Sequence, residues 1–194
     1  MSFDPFYMFV FVGLASPGPN IVMLIASGAR FGFRRTLPHV IGIASGVAIT
    51  AGLTGLGLGA LMLRYPAVSL ALKVAAASWI FYLGFRLYRS LNVPKAESHD
   101  KPFTVIEAAL FQWFNPKFWA VALAAGAGYG LGQPPLQEGL RMAVVFGCLN
   151  LMVCLFYTYA GNGLGRLFNT PVLWHRFMTI MAILMGLSGL AVFF

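Results

Sequence analysis

Apolar residues run through this chain in long unbroken blocks, separated by short clusters of Pro, Gly and charge instead of alternating with polar positions. Six such blocks are present, at 5–27, 38–63, 66–87, 108–130, 139–160 and 172–194. Each approaches the ~20 helical residues needed to cross a hydrocarbon core about 30 Å thick. The pattern therefore predicts an all-α integral membrane protein with six transmembrane helices. The first block has Asp4 but no Lys or Arg ahead of it and no A-x-A cleavage pattern, so it is expected to be a retained helix and not a signal peptide. The main hydrophilic stretch, 89–107, holds Glu97, Asp100 and Glu107 beside Lys95 and Lys101. It divides the chain into a three-helix repeat at 1–88, a cytoplasmic linker at 89–107 and a second three-helix repeat at 108–194.

An odd number of helices per block makes the second block enter the bilayer upside down relative to the first, the architecture of inverted repeats. The first helix of each block carries a proline cluster near its middle: Ser16, Pro17, Gly18, Pro19 and Asn20 in one, Asn115, Pro116 and Lys117 in the other. Aligning Pro19 with Pro116 sets an offset of 97 residues between the halves. Proline lacks an N–H and clashes with the preceding turn, so the first and fourth helices are expected to be interrupted and restarted. Asn115 has the character of an N-cap and Pro116 of a first helical residue, and Ser16 and Pro17 are expected in the same roles. Unpaired N–H groups at such restarts are tolerated in a membrane only inside protein or beside a wet cavity. Their partial positive charge suits a carboxylate. Alone, either proline reads equally well as a simple kink; two at corresponding positions favour a site.

Composition fixes the solvent. Hydrophobic residues make up 59% and charged residues 9%, with a mean hydropathy of +0.80, whereas soluble domains carry roughly a quarter of their residues as charges. The formal net charge of +8 is then a matter of topology. Arg30, Arg34, Arg35, Arg86, Arg89, Lys95, Lys101, Arg166 and Arg176 belong to the first, third and fifth loops, against Arg64 and Arg141 on the other side. This excess puts those three loops in the cytoplasm and both termini in the periplasm, and no nucleic-acid partner is expected. Cys148 and Cys154 lie about 9 Å apart along one helix, too far to bridge. His39, His99 and His175 match no metal-ligand spacing, and no P-loop, H-E-x-x-H or G-x-S-x-G is present. No metal, no cofactor and no enzymatic activity are expected.

Two cations fall at membrane depth. Lys117 follows the fourth-helix break and Lys73 stands between Leu72 and Val74, with no acid on either span. A buried cation costs about 2.5 to 3.5 kcal/mol on insertion scales, so a positively charged cavity for a carboxylate-bearing substrate competes with snorkelling to the interface. Either ammonium is also a candidate for proton exchange. The glycine spacings at Gly42 and Gly46, Gly28 and Gly32, Gly126 and Gly130, and Gly55, Gly57 and Gly59 are those of close helix packing. Tyr7, Trp79, Trp113, Trp119, Tyr157 and Tyr159 are expected to face lipid or pack; Asn150 and Asn162 are weaker cavity candidates.

These residues resemble the lysine exporter and homoserine/threonine resistance (LysE/RhtB) superfamily of bacterial inner-membrane amino-acid exporters. The specific parts are S-P-G-P-N at 16–20 followed by Gly28, Gly32, Arg34 and Arg35; Leu72 and Lys73 followed by Tyr82, Leu83 and Gly84; and F-Q-W-F-N-P-K at 111–117. The Phe111, Gln112, Trp113 lead and Trp119 are similar to the branch that exports cysteine and O-acetylserine. The resemblance implies functional roles for Pro17, Pro19, Asn20, Lys73, Asn115, Pro116 and Lys117. It also shows departures: Asn150 stands where many relatives carry an acid, and Met178 and Ala182 stand near the usual Asn and Gly of the sixth helix. The function expected is export of a neutral or small amino acid across the bacterial inner membrane, driven by protons, with substrate bound by Ser16, Pro17, Gly18, Pro19, Asn20, Lys73, Asn115, Pro116, Lys117 and Asn150. A homo-oligomer is compatible with the sequence. A passive channel for small anions, which would exceed carrier rates, and a membrane subunit without solute flux are the alternatives. Because no Asp or Glu lies within a span, nothing would balance the side chain of lysine or arginine, and zwitterionic substrates are expected.

Overall fold

The computed structural model describes residues 4–57, 65–89, 101–167 and 170–190, which form eight α-helices and no strand. They are α1 (Pro5–Ala15), α2 (Pro19–Phe31), α3 (Phe33–Gly55), α4 (Pro66–Arg89), α5 (Val105–Trp113), α6 (Pro116–Tyr129), α7 (Pro135–Leu167) and α8 (Pro171–Leu190). Gly59, Arg64, Lys95, Glu97, His99 and Asp100 fall outside the described residues, as does the side chain of Lys73 on α4.

Local chemistry sets the helix ends. The Asp4 carboxylate accepts from the Phe6 N–H at 3.0 Å, and Pro5 occupies the first turn of α1, satisfying donors that a helix start otherwise leaves open. Thr104 and Glu107 form a reciprocal capping box that begins α5 at Val105, three residues ahead of the expected start at 108. The start expected at Pro38 also moves: α3 begins at Phe33 and contains Pro38 in its second turn. Gly32, taken as a packing residue, is instead the corner between α2 and α3, with φ of 84°, a left-handed conformation that costs glycine little.

Both proline clusters interrupt their helices. Between α1 and α2 the chain bends by 60°. The cap assignment at this first break differs from the expected one. Ser16 ends α1, Gly18 is the N-cap of α2 and Pro19 is its first residue. A residue preceding proline is pushed out of the α region; Ser16 and Gly18 each precede one and both are extended. The second break follows expectation, with Asn115 as N-cap and Pro116 as first helical residue.

One core joins Phe6, Val10 and Leu14 of α1 to Ile43 and Val47 of α3, Phe118 of α6 and Met142 and Phe146 of α7. A second cluster joins α2 to Ile80 and Leu83 of α4 and Met178, Met181 and Met185 of α8. The most extensive interface is α3 against α7, followed by α2 against α7. At the α2–α7 crossing the backbones touch: a Cβ on Gly161 would stand 2.8 Å from the Ile25 Cα, and one on Gly165 2.7 Å from the Ala29 Cα. Only small residues permit such an approach.

Large apolar side chains cover the outside, among them Phe11, Ile49, Val144, Phe156 and Ile183. Water would penalise so continuous an apolar surface; lipid does not. Among the described residues α3, α7 and α8 are long and apolar enough to cross a membrane, and the bent pair α1–α2 passes the same test if it is taken as one broken span. The protein is thus a multi-pass membrane protein.

Candidate functional site

The two broken helices meet. Asn20, second residue of α2, donates from Nδ2 to Gln112 Oε1 at 2.7 Å, and Gln112 lies just before the α5–α6 break. Lys117, second residue of α6, donates from Nζ to the carbonyl oxygen of Ser16 at the α1–α2 break. Asn20 and Lys117 correspond under the 97-residue offset, so each restarted helix reaches across with the same position to the place where the other helix stops. Gly18 makes the second reach feasible: a Cβ there would lie 3.1 Å from Lys117 Cδ. Its φ of −177° is ordinary extended backbone, so space, and not conformation, requires glycine. Gly46 does the same for Gln112, whose Cγ would be 2.6 Å from an added Cβ.

Carbonyls freed at the breaks are capped one by one. Ser16 Oγ donates to Gly13 O at 2.9 Å, Tyr157 Oη to Ala15 O at 3.0 Å, and Lys117 Nζ to Ser16 O. At the other break Trp119 Nε1 donates to Trp113 O at 3.0 Å. An ammonium at a helix C-terminus is also favoured by the helix dipole. Lys117, expected to await a carboxylate, is therefore engaged with backbone in this conformation.

Three buried polar atoms beside these contacts have no partner: Asn20 Oδ1, Asn115 Nδ2 and Asn150 Nδ2. For Asn20 and Asn115 the identity as oxygen or nitrogen follows from the neighbours. Gln112 Nε2 donates to Ala108 O at 2.7 Å, which leaves Gln112 Oε1 as acceptor and obliges Asn20 to present its Nδ2 there and its Oδ1 elsewhere. Asn115 Oδ1 accepts from the Lys117 N–H at 3.3 Å, which leaves its Nδ2 free to donate. All three asparagines line one small cavity of about 10 Å³, together with Gly18, Pro19 and Lys117. That volume admits about one water. An unpaired buried amide group costs ~1–3 kcal/mol, a cost borne three times at a single place.

Of the predicted site residues, the structure brings Gly18, Pro19, Asn20, Asn115, Lys117 and Asn150 around this cavity. Ser16 contributes its carbonyl, Pro116 starts α6, and Pro17 is exposed at the α1–α2 break. Gln112, Tyr157 and Trp119 were not expected there. Gln112 carried a signal, being an uncharged polar residue in an apolar block three positions before a break. The aromatic pair carried none, since membrane helices are rich in both residue types. Asn162 lies apart, its Oδ1 accepting from the Phe33 N–H at 3.3 Å at the α2–α3 corner.

Comparison with known proteins finds membrane proteins among the relatives. The chain is 34% identical over 88 residues to an uncharacterized membrane protein of Haemophilus influenzae, a match covering 45% of this chain and 42% of that protein. An uncharacterized membrane protein of Vibrio cholerae is 26% identical over 83% of this chain and 81% of its own length. The homoserine/homoserine lactone efflux protein of Salmonella typhimurium is 26% identical over 73% of this chain and 71% of its own length. No solved structure gives a significant match. The model of the LysE type translocator family matches residues 11–194, and the chain belongs to that family.

Proposed function

We propose that this protein exports a small zwitterionic amino acid or a close derivative through the cavity between the two broken helices. The observation that carries this reading is the set of unpartnered amides. Asn115 Nδ2 and Asn150 Nδ2 are donors suited to a carboxylate, and Asn20 Oδ1 is an acceptor suited to an ammonium. Substrate would supply both missing partners at once. The name of the Salmonella typhimurium relative, an efflux protein for homoserine and homoserine lactone, supports the same direction and substrate class. A lysine or arginine side chain would bring a further cation to a cavity already flanked by Lys117 and containing no acid.

Lys117 is the switch in this reading. A cavity of about 10 Å³ is too small for an amino acid, so the described conformation is closed, and the breaks must part before substrate enters. Parting them frees Lys117 from Ser16 O and presents its ammonium to the substrate carboxylate. The chain is proposed to lie in the bacterial inner membrane with six spans in two inverted repeats at 1–88 and 108–194. The basic loops and the 89–107 linker would be cytoplasmic and both termini periplasmic. Supporting the repeat are the two corresponding breaks and the reciprocal contacts of Asn20 and Lys117. Transport is proposed to be driven by protons. Everted vesicles given a panel of radiolabelled amino acids test the reading: homoserine, threonine, cysteine and O-acetylserine should accumulate, and preferential accumulation of lysine would overturn it.

A further inference from the structure

Proton-driven export needs a group that binds and releases a proton, and the carboxylates on the described helices stand only in first turns, Glu107 in α5 and Glu138, paired with Arg141, in α7. Among the described residues away from the broken helices, the buried titratable side chain with no part in the site is His39. His39, in the second turn of α3, is fully buried. Its Nδ1 faces Ser27 Oγ of α2 at 3.5 Å, its ring lies 5.1 Å from that of Phe103, and its Nε2 has no partner. Leaving that nitrogen without a partner costs about 1–3 kcal/mol, a cost that packing alone does not offset.

The surroundings suit a histidine that changes charge. Beside the ring α5 packs closely on α3, with Val105 and Ala108 against Gly42, and it carries Glu107 in its first turn; burial opposes a charge on the ring, and a negative neighbour favours it. Phe103 offers an aromatic ring to the same cation. Of the other helices packed on α3, α2 brings the Ser27 hydroxyl and, one turn on, buried Arg30. The titratable groups of α6 are Lys117 and Tyr129. At the level of Gly28, α7 brings Thr158, whose buried hydroxyl also has no partner; Cys154 lies one turn further toward Asn150. Arg34 and Arg35 precede His39 on α3 itself.

This cluster is connected to the cavity. Ser27 follows Asn20 by seven residues on α2, two turns along one face and about 10 Å in rise. Thr158 follows Asn150 by eight on α7, and the two helices run side by side, with Ile25 against Gly161 and Ala29 against Gly165. Buried polar groups thus stand at intervals between the cavity and His39, Asn20 and Ser27 on α2 and Asn150 and Thr158 on α7.

We infer that His39, with Ser27 and Glu107, is the proton site that couples export to the proton gradient, taking up a proton at Nε2 and releasing it toward the cytoplasmic end of α3. This assignment rests on the transport reading above, and the test separates the two. Purified protein in proteoliposomes is assayed for exchange of radiolabelled homoserine at equal pH on both sides, and for uphill accumulation under an imposed pH gradient. Wild type should do both. His39→Gln should keep exchange at the wild-type rate while gradient-driven accumulation collapses to equal concentrations inside and out. Failure of wild type to exchange any amino acid would sink the transport reading; accumulation by His39→Gln at the wild-type level would sink only the proton assignment. Should His39→Gln fail to insert, Glu107→Gln decides. It retains the capping box but removes the charge beside the ring, and should move the midpoint of the pH profile of accumulation toward acid. An unmoved profile overturns the proposal.

Discussion

Replacing Lys117 by Met separates the lysine's structural contribution from its proposed role in binding. The variant keeps most of the apolar stem that crosses Gly18 and removes only the ammonium. Two changes in stability then oppose each other. The Ser16 carbonyl loses a charge-assisted hydrogen bond, worth about 1.5–3 kcal/mol. An intramembrane cation disappears, relieving about 2.5–3.5 kcal/mol on insertion scales. The two largely offset each other, so insertion and thermal stability in detergent should fall no more than about 0.5 kcal/mol below wild type and rise no more than about 2 kcal/mol above it. No such cancellation applies to substrate binding. Loss of one charge-assisted contact to the carboxylate should weaken apparent affinity by about 10-fold to 100-fold. The assay is concentration-dependent export in everted vesicles, normalised to inserted protein measured by fluorescence of a C-terminal fusion. A well-inserted Lys117→Met protein with unaltered affinity would show that the ammonium serves only to cap α1.

Other changes probe the neighbours. Asn150→Leu removes an unpartnered amide from the cavity and should raise the melting temperature, by about 1–3 kcal/mol of added stability, while export falls; a variant no more stable than wild type would show that the amide is satisfied in the membrane. Tyr157→Phe keeps the ring but strips the donor from Ala15 O, and should cost about 1 kcal/mol, read as a lower detergent melting temperature. Gly161→Leu forces a side chain onto the Ile25 backbone and should prevent α2 and α7 from meeting, seen as loss of folded protein by size-exclusion fluorescence, whereas Gly163→Leu, where nothing lies within 4 Å of an added Cβ, should be tolerated.

How much of this could be read from the sequence depends on the physics involved. The membrane class and the two breaks were legible because each rests on a one-body property: apolar length on one hand, the missing N–H of proline on the other. The cap at the second break was legible too, since Asn115 directly precedes Pro116. At the first break two prolines compete, and Ser16 was read as the N-cap although the helix restarts at Pro19; sequence alone does not say which of two neighbouring prolines begins the new helix. The contacts that join the two breaks are two-body facts between residues 92 and 101 positions apart. No local signal announces which carbonyl a lysine will cap. Tyr157 illustrates this most clearly, because a tyrosine in an apolar helix is an ordinary membrane residue until the carbonyl of Ala15 is found 3.0 Å from its hydroxyl.

The cross-contacts also bear on how such a site can move. Each restarted helix is tied at its second residue to the opposite break, by a neutral amide pair on one side and by an ammonium on the other. A carboxylate competes well for an ammonium held by a neutral carbonyl, since hydrogen bonds between two charged groups are the stronger kind. It competes poorly for the amide pair, whose Gln112 is itself anchored on Ala108 O. Substrate should therefore release the Lys117 side of the closure and leave the Asn20 side in place, so that the two breaks open in sequence. Gln112→Leu, which removes the anchored side, should then raise basal exchange at the expense of substrate selectivity. Equal loss of both in that variant would mean that the two contacts open together.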